Sequence, residues 1–115
     1  MARMPVIIRD INALVAQPTR RPHIRERRLI TPDDSAEQNV VLIDADAGAA
    51  VEVHPVPSSE TLYFLSGEYL VLTGTGETAV GPGSCIYFPP GASHGLRCTA
   101  GPGQYLVVFA PARRS

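Results

Sequence analysis

A chain of 115 residues with a formal net charge of −1 and a mean hydropathy of +0.04 reads as one domain that can bury its own core without disulfides or metal as a condition of folding. Ten glycines and 11 prolines are more punctuation than a helical bundle tolerates, and point to short strands joined by tight turns. The near-neutral charge supplies no global field toward nucleic acid or acidic lipid, no run of 18 apolar residues exists to cross a membrane as a helix, and two cysteines make no disulfide framework.

In chain order, residues 6–8 suit a short strand. Asp10 is placed to cap a brief helix over 10–16, stopped by Pro18, and this is the one helix the sequence supports. The apolar run 5–8 is broken by Arg9 and Asp10, too short for the core of a signal peptide, so a cytoplasmic protein with free thiols is the expectation. Residues 19–22 form a polar connector, 24–31 an exposed strand, and 32–35 a turn by composition. All ten basic residues are arginine, and Arg20, Arg21, Arg25, Arg27 and Arg28 crowd together with Glu26 among them. That run reads as a solvated strand face or an interface pairing with carboxylates, rather than a nucleic-acid site.

Residues 38–46 carry the β-branched run of a buried strand. Residues 49–54 alternate, which puts Val51 and Val53 on one face and Glu52 and His54 on the other. Further strands are expected at 60–66, 69–73, 77–80, 84–88, 93–98 and 105–110, with turns at Gly67, 74–76, 81–83, 89–91 and 100–103. About nine or ten short strands at roughly 8–12-residue spacing mark an all-β sandwich or barrel, with jelly rolls and small barrels as the main candidates. On period-two parity Leu62 and Phe64 share the face of Glu60, so the wall near it is mostly apolar. Cys85 reads as a core residue and Cys98 as a small apolar filler.

Between Gly48 and His94 the spacing becomes specific. Five residues separate Gly48 from His54; Val56 follows two positions later, then Glu60, then Gly67. A second block runs Gly83, Pro89, Gly91, His94. Together these resemble the two motifs of the cupin superfamily, in particular its small single-domain, conserved-barrel members, with a spacer of matching short length. The resemblance implies an all-β double-stranded β-helix (jelly-roll) barrel with at most one short N-terminal helix. It divides the chain, as a single domain over 1–115, into an N-terminal arm (1–37), the conserved barrel (38–110) and a tail (111–115).

The same resemblance implies a metal held inside the barrel, carried over to His54, Glu60 and His94. It departs from the family at Val56, where a second histidine belongs, and at Cys98, where an asparagine closes the second motif. Two imidazoles and one carboxylate still match three-ligand zinc and non-haem iron sites, so a divalent ion is expected, with Zn, Fe, Mn and Ni not distinguished. An alternative register takes His54-Pro55 as the family's second His position and makes Glu52 a ligand. The expected partners are a small, partly apolar organic ligand and, through an edge strand at 24–31, a second copy of the chain as a homodimer, with no nucleic acid and no membrane. Three function classes follow: a metal-dependent enzyme, a metal- or metabolite-sensing domain, and a metal-free structural dimer.

Overall fold

The computed structural model describes residues 6–114; the first five residues of the expected arm and the last residue of the tail lie outside the described residues. A single 3-10 turn, Ile11–Ala13, replaces the expected N-terminal helix. The Asp10 side chain accepts from the Asn12 amide, as a cap should, but Leu14 is already extended and none of the turn's residues is buried. One turn with no face against the core cannot propagate. Residues 6–8 are not a strand, and Val6 and Ile8 are exposed.

Eight strands follow: β1 (Gln17–Pro18), β2 (Ile24–Ile30), β3 (Asn39–Ala45), β4 (Ala50–Pro55), β5 (Ser59–Thr73), β6 (Gly76–Val80), β7 (Cys85–Phe88) and β8 (Ser93–Ala110). Every pairing among them is antiparallel. The expected breaks at Gly67 and at 100–103 are not chain reversals. Both fall inside single long strands, β5 and β8, which bend there and continue.

Those two bent strands organise the barrel. The first half of β5 lies between β7 and the last part of β8, and that part of β8 also pairs with β3, which carries β2 and β1. The second half of β5 lies between β6 and the first part of β8, which carries β4 on its other side. Two sheets therefore share two strands, and the chain passes from one sheet to the other through β5 and β8. Gly67 sits at φ 88, a left-handed conformation that glycine adopts at little cost. A Cβ built on it would lie 2.9 Å from the Gly103 Cα, so the two bends meet through their glycines.

The apolar core fills the space between the sheets. Val41, Ile43 and Ala45 of β3 point inward with Leu62, Phe64, Tyr69 and Val71 of β5, and Leu96, Cys98, Tyr105 and Val107 of β8. Phe64, Tyr69 and Tyr105 form an aromatic triad with ring centroids 4.8–5.5 Å apart. Each such ring contributes its buried area plus about 0.5–1.5 kcal/mol for the aromatic pairing. Burial lifts both tyrosine hydroxyls well above the usual phenol range. Parity along β7 corrects one expectation: Ile86 and Phe88 face in, and Cys85 faces out and is exposed.

The arginine run of β2 pairs with carboxylates, as its composition suggested. Arg27 meets Asp44 of β3 at 2.9 Å, Arg25 meets Asp46 just past the end of β3 at 3.4 Å, and Arg28 meets Glu26 at 3.0 Å. No helix among the described residues is long and apolar enough to cross a membrane.

Candidate functional site

A cavity of about 510 Å³ opens between the inner faces of β2, β3, β4, β5 and β8. Its wall is largely apolar, built from Ile24, Val41, Ile43, Leu62, Leu96 and Val107, and His54, Glu60 and His94 line it too. Sequence spacing and structure agree on that grouping. Glu60 stands at the start of β5, His94 near the start of β8, and His54 near the end of β4, directly opposite His94 in the ladder.

His54 reaches this position through a β-bulge. Val51 pairs with Leu96 and His54 with His94, so Glu52 and Val53 on β4 together oppose Gly95 alone on β8. The extra residue reverses the alternation, and Val51 and His54 both line the cavity. Glu52 consequently does not share the face of His54. Its side chain is 71 % exposed and pairs with Arg21 at 3.1 Å, and hydrogen bonds from its own backbone amide and then from Arg21 hold it below the usual carboxylate range. Gly95 permits the bulge, because a Cβ there would lie 2.7 Å from the Val51 carbonyl oxygen and 2.9 Å from the Val53 nitrogen.

Both imidazoles are oriented by backbone carbonyls. Nδ1 of His54 lies 2.8 Å from the Glu52 carbonyl oxygen, and Nδ1 of His94 lies 3.1 Å from that of Ala92. A carbonyl only accepts, so each Nδ1 carries the hydrogen, which leaves Nε2 as the other polar atom of each ring. His94 is further fixed by stacking on Phe88, with centroids 3.7 Å apart and planes 2° from parallel. Its Nε2 is bonded directly to the Glu60 carboxylate. The pair is nearly enclosed, with side-chain exposures of 6 % and 12 %. Burial opposes a charged His94, but the hydrogen bond and charge of Glu60 outweigh it and hold the imidazole above its usual value.

The donor set has the chemistry of a divalent-metal site: two imidazoles oriented through Nδ1, the usual outer-shell arrangement for a ligating histidine, and one carboxylate. The three groups are not drawn together around one point. The His54 and His94 ring centroids are 6.2 Å apart, Glu60 is turned onto His94, and no three His, Cys, Asp or Glu side chains among the described residues form a metal-holding cluster.

Val56 and Cys98, the two departures from the family pattern, do not line the cavity. Val56 is buried, 1 % exposed, with its carbonyl accepting from the Gly91 amide. Cys98 lies in the core, where burial raises its thiol. Of the four tyrosines only Tyr105 lines the cavity. Sequence reasoning missed Arg20, Arg21, Arg28 and Arg113 as cavity residues. The crowding of arginines marked the segment, and no period in the sequence showed which of them turn inward.

Comparison with known proteins accounts for this arrangement. The family model described as Cupin domain matches residues 39–109. Among solved structures, an RmlC-like cupin from Shewanella frigidimarina NCIMB 400 is 25% identical, with 90% of this chain and 88% of that chain covered and a TM-score of 0.80. The polyketide cyclase RemF from Streptomyces resistomycificus is 22% identical over 98% of this chain and 83% of its own, with a TM-score of 0.80. KdgF from Halomonas sp. is 17% identical over 94% and 96%, with a TM-score of 0.82. No match is found among curated protein sequences. At such identities the last two structures speak for the fold alone, and the family model, which spans more than half of the sequence, settles the lineage: the chain belongs to the cupin domain family.

Proposed function

We propose that this cupin binds and acts on a small, partly apolar organic molecule in its barrel cavity, beside a divalent metal ion held by His54, Glu60 and His94. The observation that carries this reading is the meeting of Glu60, His94 and, across the ladder, His54 at the wall of an otherwise apolar cavity of about 510 Å³. Such a volume suits a small ligand, with a few polar groups fixing its orientation. A bound divalent ion there supplies Lewis acidity toward a carbonyl or enol oxygen, or activates water or dioxygen.

The chain's own residues do the rest. The carbonyls of Glu52 and Ala92 hold both Nδ1 atoms, which leaves each Nε2 as the atom that would meet an ion, and Phe88 holds the plane of His94. The apolar wall excludes water, which strengthens every polar contact at the site. The proton shared by Glu60 and His94 would have to leave for both to hold an ion, so metal uptake would release protons. Structural neighbours include enzymes, a polyketide cyclase and an ectoine synthase. A homodimer is part of the proposal: beyond Arg25 and Glu26, β2 has a strand partner on one side only among the described residues. Sedimentation tests it, and a concentration-independent monomer mass removes it.

One observation favours a metal-free reading, in which the protein is a metabolite-binding or structural cupin. Glu60 and His94 already satisfy each other, so the buried carboxylate has its partner without an ion. Metal analysis of untagged protein, with His54→Ala and His94→Ala beside it, separates the two. Near-stoichiometric metal that drops in both variants supports the metal reading. Traces that do not depend on either histidine end it.

A further inference from the structure

Four arginines, Arg20, Arg21, Arg28 and Arg113, reach the cavity, against two carboxylates, Glu26 and Glu60. Both carboxylates are occupied, Glu26 by Arg28 and Glu60 by His94. Among the described residues neither Arg20 nor Arg113 has a carboxylate partner, so the cavity carries a positive excess against an apolar wall.

Arg21 is the best placed of the four. It lies on the loop between β1 and β2, which is tied shut. The Thr19 amide donates to the Ile24 carbonyl at 3.2 Å, the Thr19 hydroxyl donates to the same oxygen at 2.9 Å, and the Arg21 amide donates to the Thr19 hydroxyl oxygen at 3.1 Å. One end of its guanidinium is held from outside by Glu52. Its Nε is buried and has no hydrogen-bond partner in the protein. A buried donor without an acceptor is costly, and a charged one especially so. Arg113 comes from a different segment, anchored where its amide donates to the buried Asn39 side chain at 2.7 Å, with its guanidinium 5.5 Å from the Phe109 ring centroid. Both Arg113 and Phe109 line the cavity.

We infer that the ligand of this cavity is an organic carboxylate with an apolar body, its charge met by the positive excess of the cavity through the guanidinium groups of Arg21 and Arg113. The planar guanidinium fork matches a carboxylate, and the wall of Ile24, Ile43 and Val107 receives the apolar body. The inference rests on the reading above that this cavity is the ligand site. It adds the charge and class of the ligand, and the β1–β2 loop as its recognition element.

The test titrates purified full-length protein with 3-phenylpropionate, with its neutral counterpart 3-phenylpropanamide, and with phenyl phosphate, by calorimetry. The carboxylate should bind roughly ten- to a hundredfold tighter than the amide, the range of a hydrogen bond to a charged group. Arg21→Gln should remove most of that preference, Arg113→Gln part of it, and Arg97→Gln, which lies outside the cavity, none. Arg21→Lys, which keeps the charge without the fork, should retain an intermediate preference, and thermal melts check that each variant folds. The preference should persist in protein treated with a chelator, whatever metal analysis shows. Equal binding of acid and amide, tighter binding of phenyl phosphate, or no saturable binding by any probe would overturn the assignment. A preference that survives Arg21→Gln but vanishes on treatment with a chelator would overturn it as well, while leaving the metal reading standing.

Discussion

His54 and His94 are direct partners in the β4–β8 ladder, with ring centroids 6.2 Å apart, although 39 residues of chain separate them. What puts both side chains on the cavity side is the bulge at Glu52 and Val53, and what makes room for the bulge is Gly95. The geometry of the site thus depends on a residue with no side chain.

Gly95→Ala tests that dependence. The new Cβ would meet Val51 and Val53 backbone atoms at 2.7 and 2.9 Å, and backbone in a paired strand cannot swing aside as the tip of a flexible side chain can. We expect a loss of about 1–3 kcal/mol, the usual range for overpacking. The His54 ring resonances should shift in NMR spectra while those of the distant Tyr87 ring stay put. A variant as stable as the parent, with His54 unmoved, would show that the bulge does not need glycine.

The bends of β5 and β8 make a second prediction. A Cβ at Gly103 would lie 2.6 Å from the Ser66 carbonyl oxygen and collide with the Tyr69 hydroxyl, which itself donates to that carbonyl at 2.8 Å. Gly103→Ala should therefore cost roughly 2–4 kcal/mol, through overpacking and loss of a buried hydrogen bond. Tyr69→Phe alone should cost about 1 kcal/mol. In the double variant the penalties should be less than additive, because the hydroxyl contact is counted in both. Denaturant unfolding of the four proteins reads this directly, and strict additivity would separate the two sites.

Much of this was legible beforehand. The strand segments, the buried run of β3, and the grouping of His54, Glu60 and His94 follow from local signals: β-branched runs, period-two alternation and motif spacing. The sequence alone reads the bends as turns because a glycine within a strand pattern marks a change of direction and does not say whether the chain reverses or continues. Only the pairing of each half of β5 and β8 with a different neighbour decides that. The bulge was not legible on β4 at all, because its cause lies across the ladder at Gly95. Period-two parity therefore put Glu52 with His54, and the structure separates them.

Val56→His tests whether the family's missing histidine can be restored. Val56 is 1 % exposed and lies off the cavity wall, so an imidazole there enters packed surroundings with no partner prepared for it. Metal affinity should not rise, and stability should fall by about 1–3 kcal/mol. Metal content and a thermal melt on the same sample check both halves. A gain in metal with unchanged stability would mean that this loop re-forms to turn residue 56 inward.

Glu60→Gln probes the buried pair itself. In the parent, Glu60 holds His94 above its usual value against the opposing effect of burial. The amide keeps the shape and removes the charge, so burial and the Arg113 charge are opposed chiefly by the Ala92 carbonyl, and His94 should titrate at lower pH than in the parent, as read from its imidazole resonances in metal-free protein. The consequence for stability has a definite sign. A histidine raised by folding stabilises the native state fully at pH values below its unfolded value, near 6.5, and that contribution is lost as pH rises through the folded value. In Glu60→Gln the shift reverses and a protonated His94 destabilises. The gap between the two proteins should be largest in mild acid, about 1–3 kcal/mol for a buried charge-assisted bond, and should narrow as pH rises past the His94 titration. A gap that stays constant across that range would mean that Glu60 contributes packing alone, and that the proton between Glu60 and His94 is not coupled to the fold.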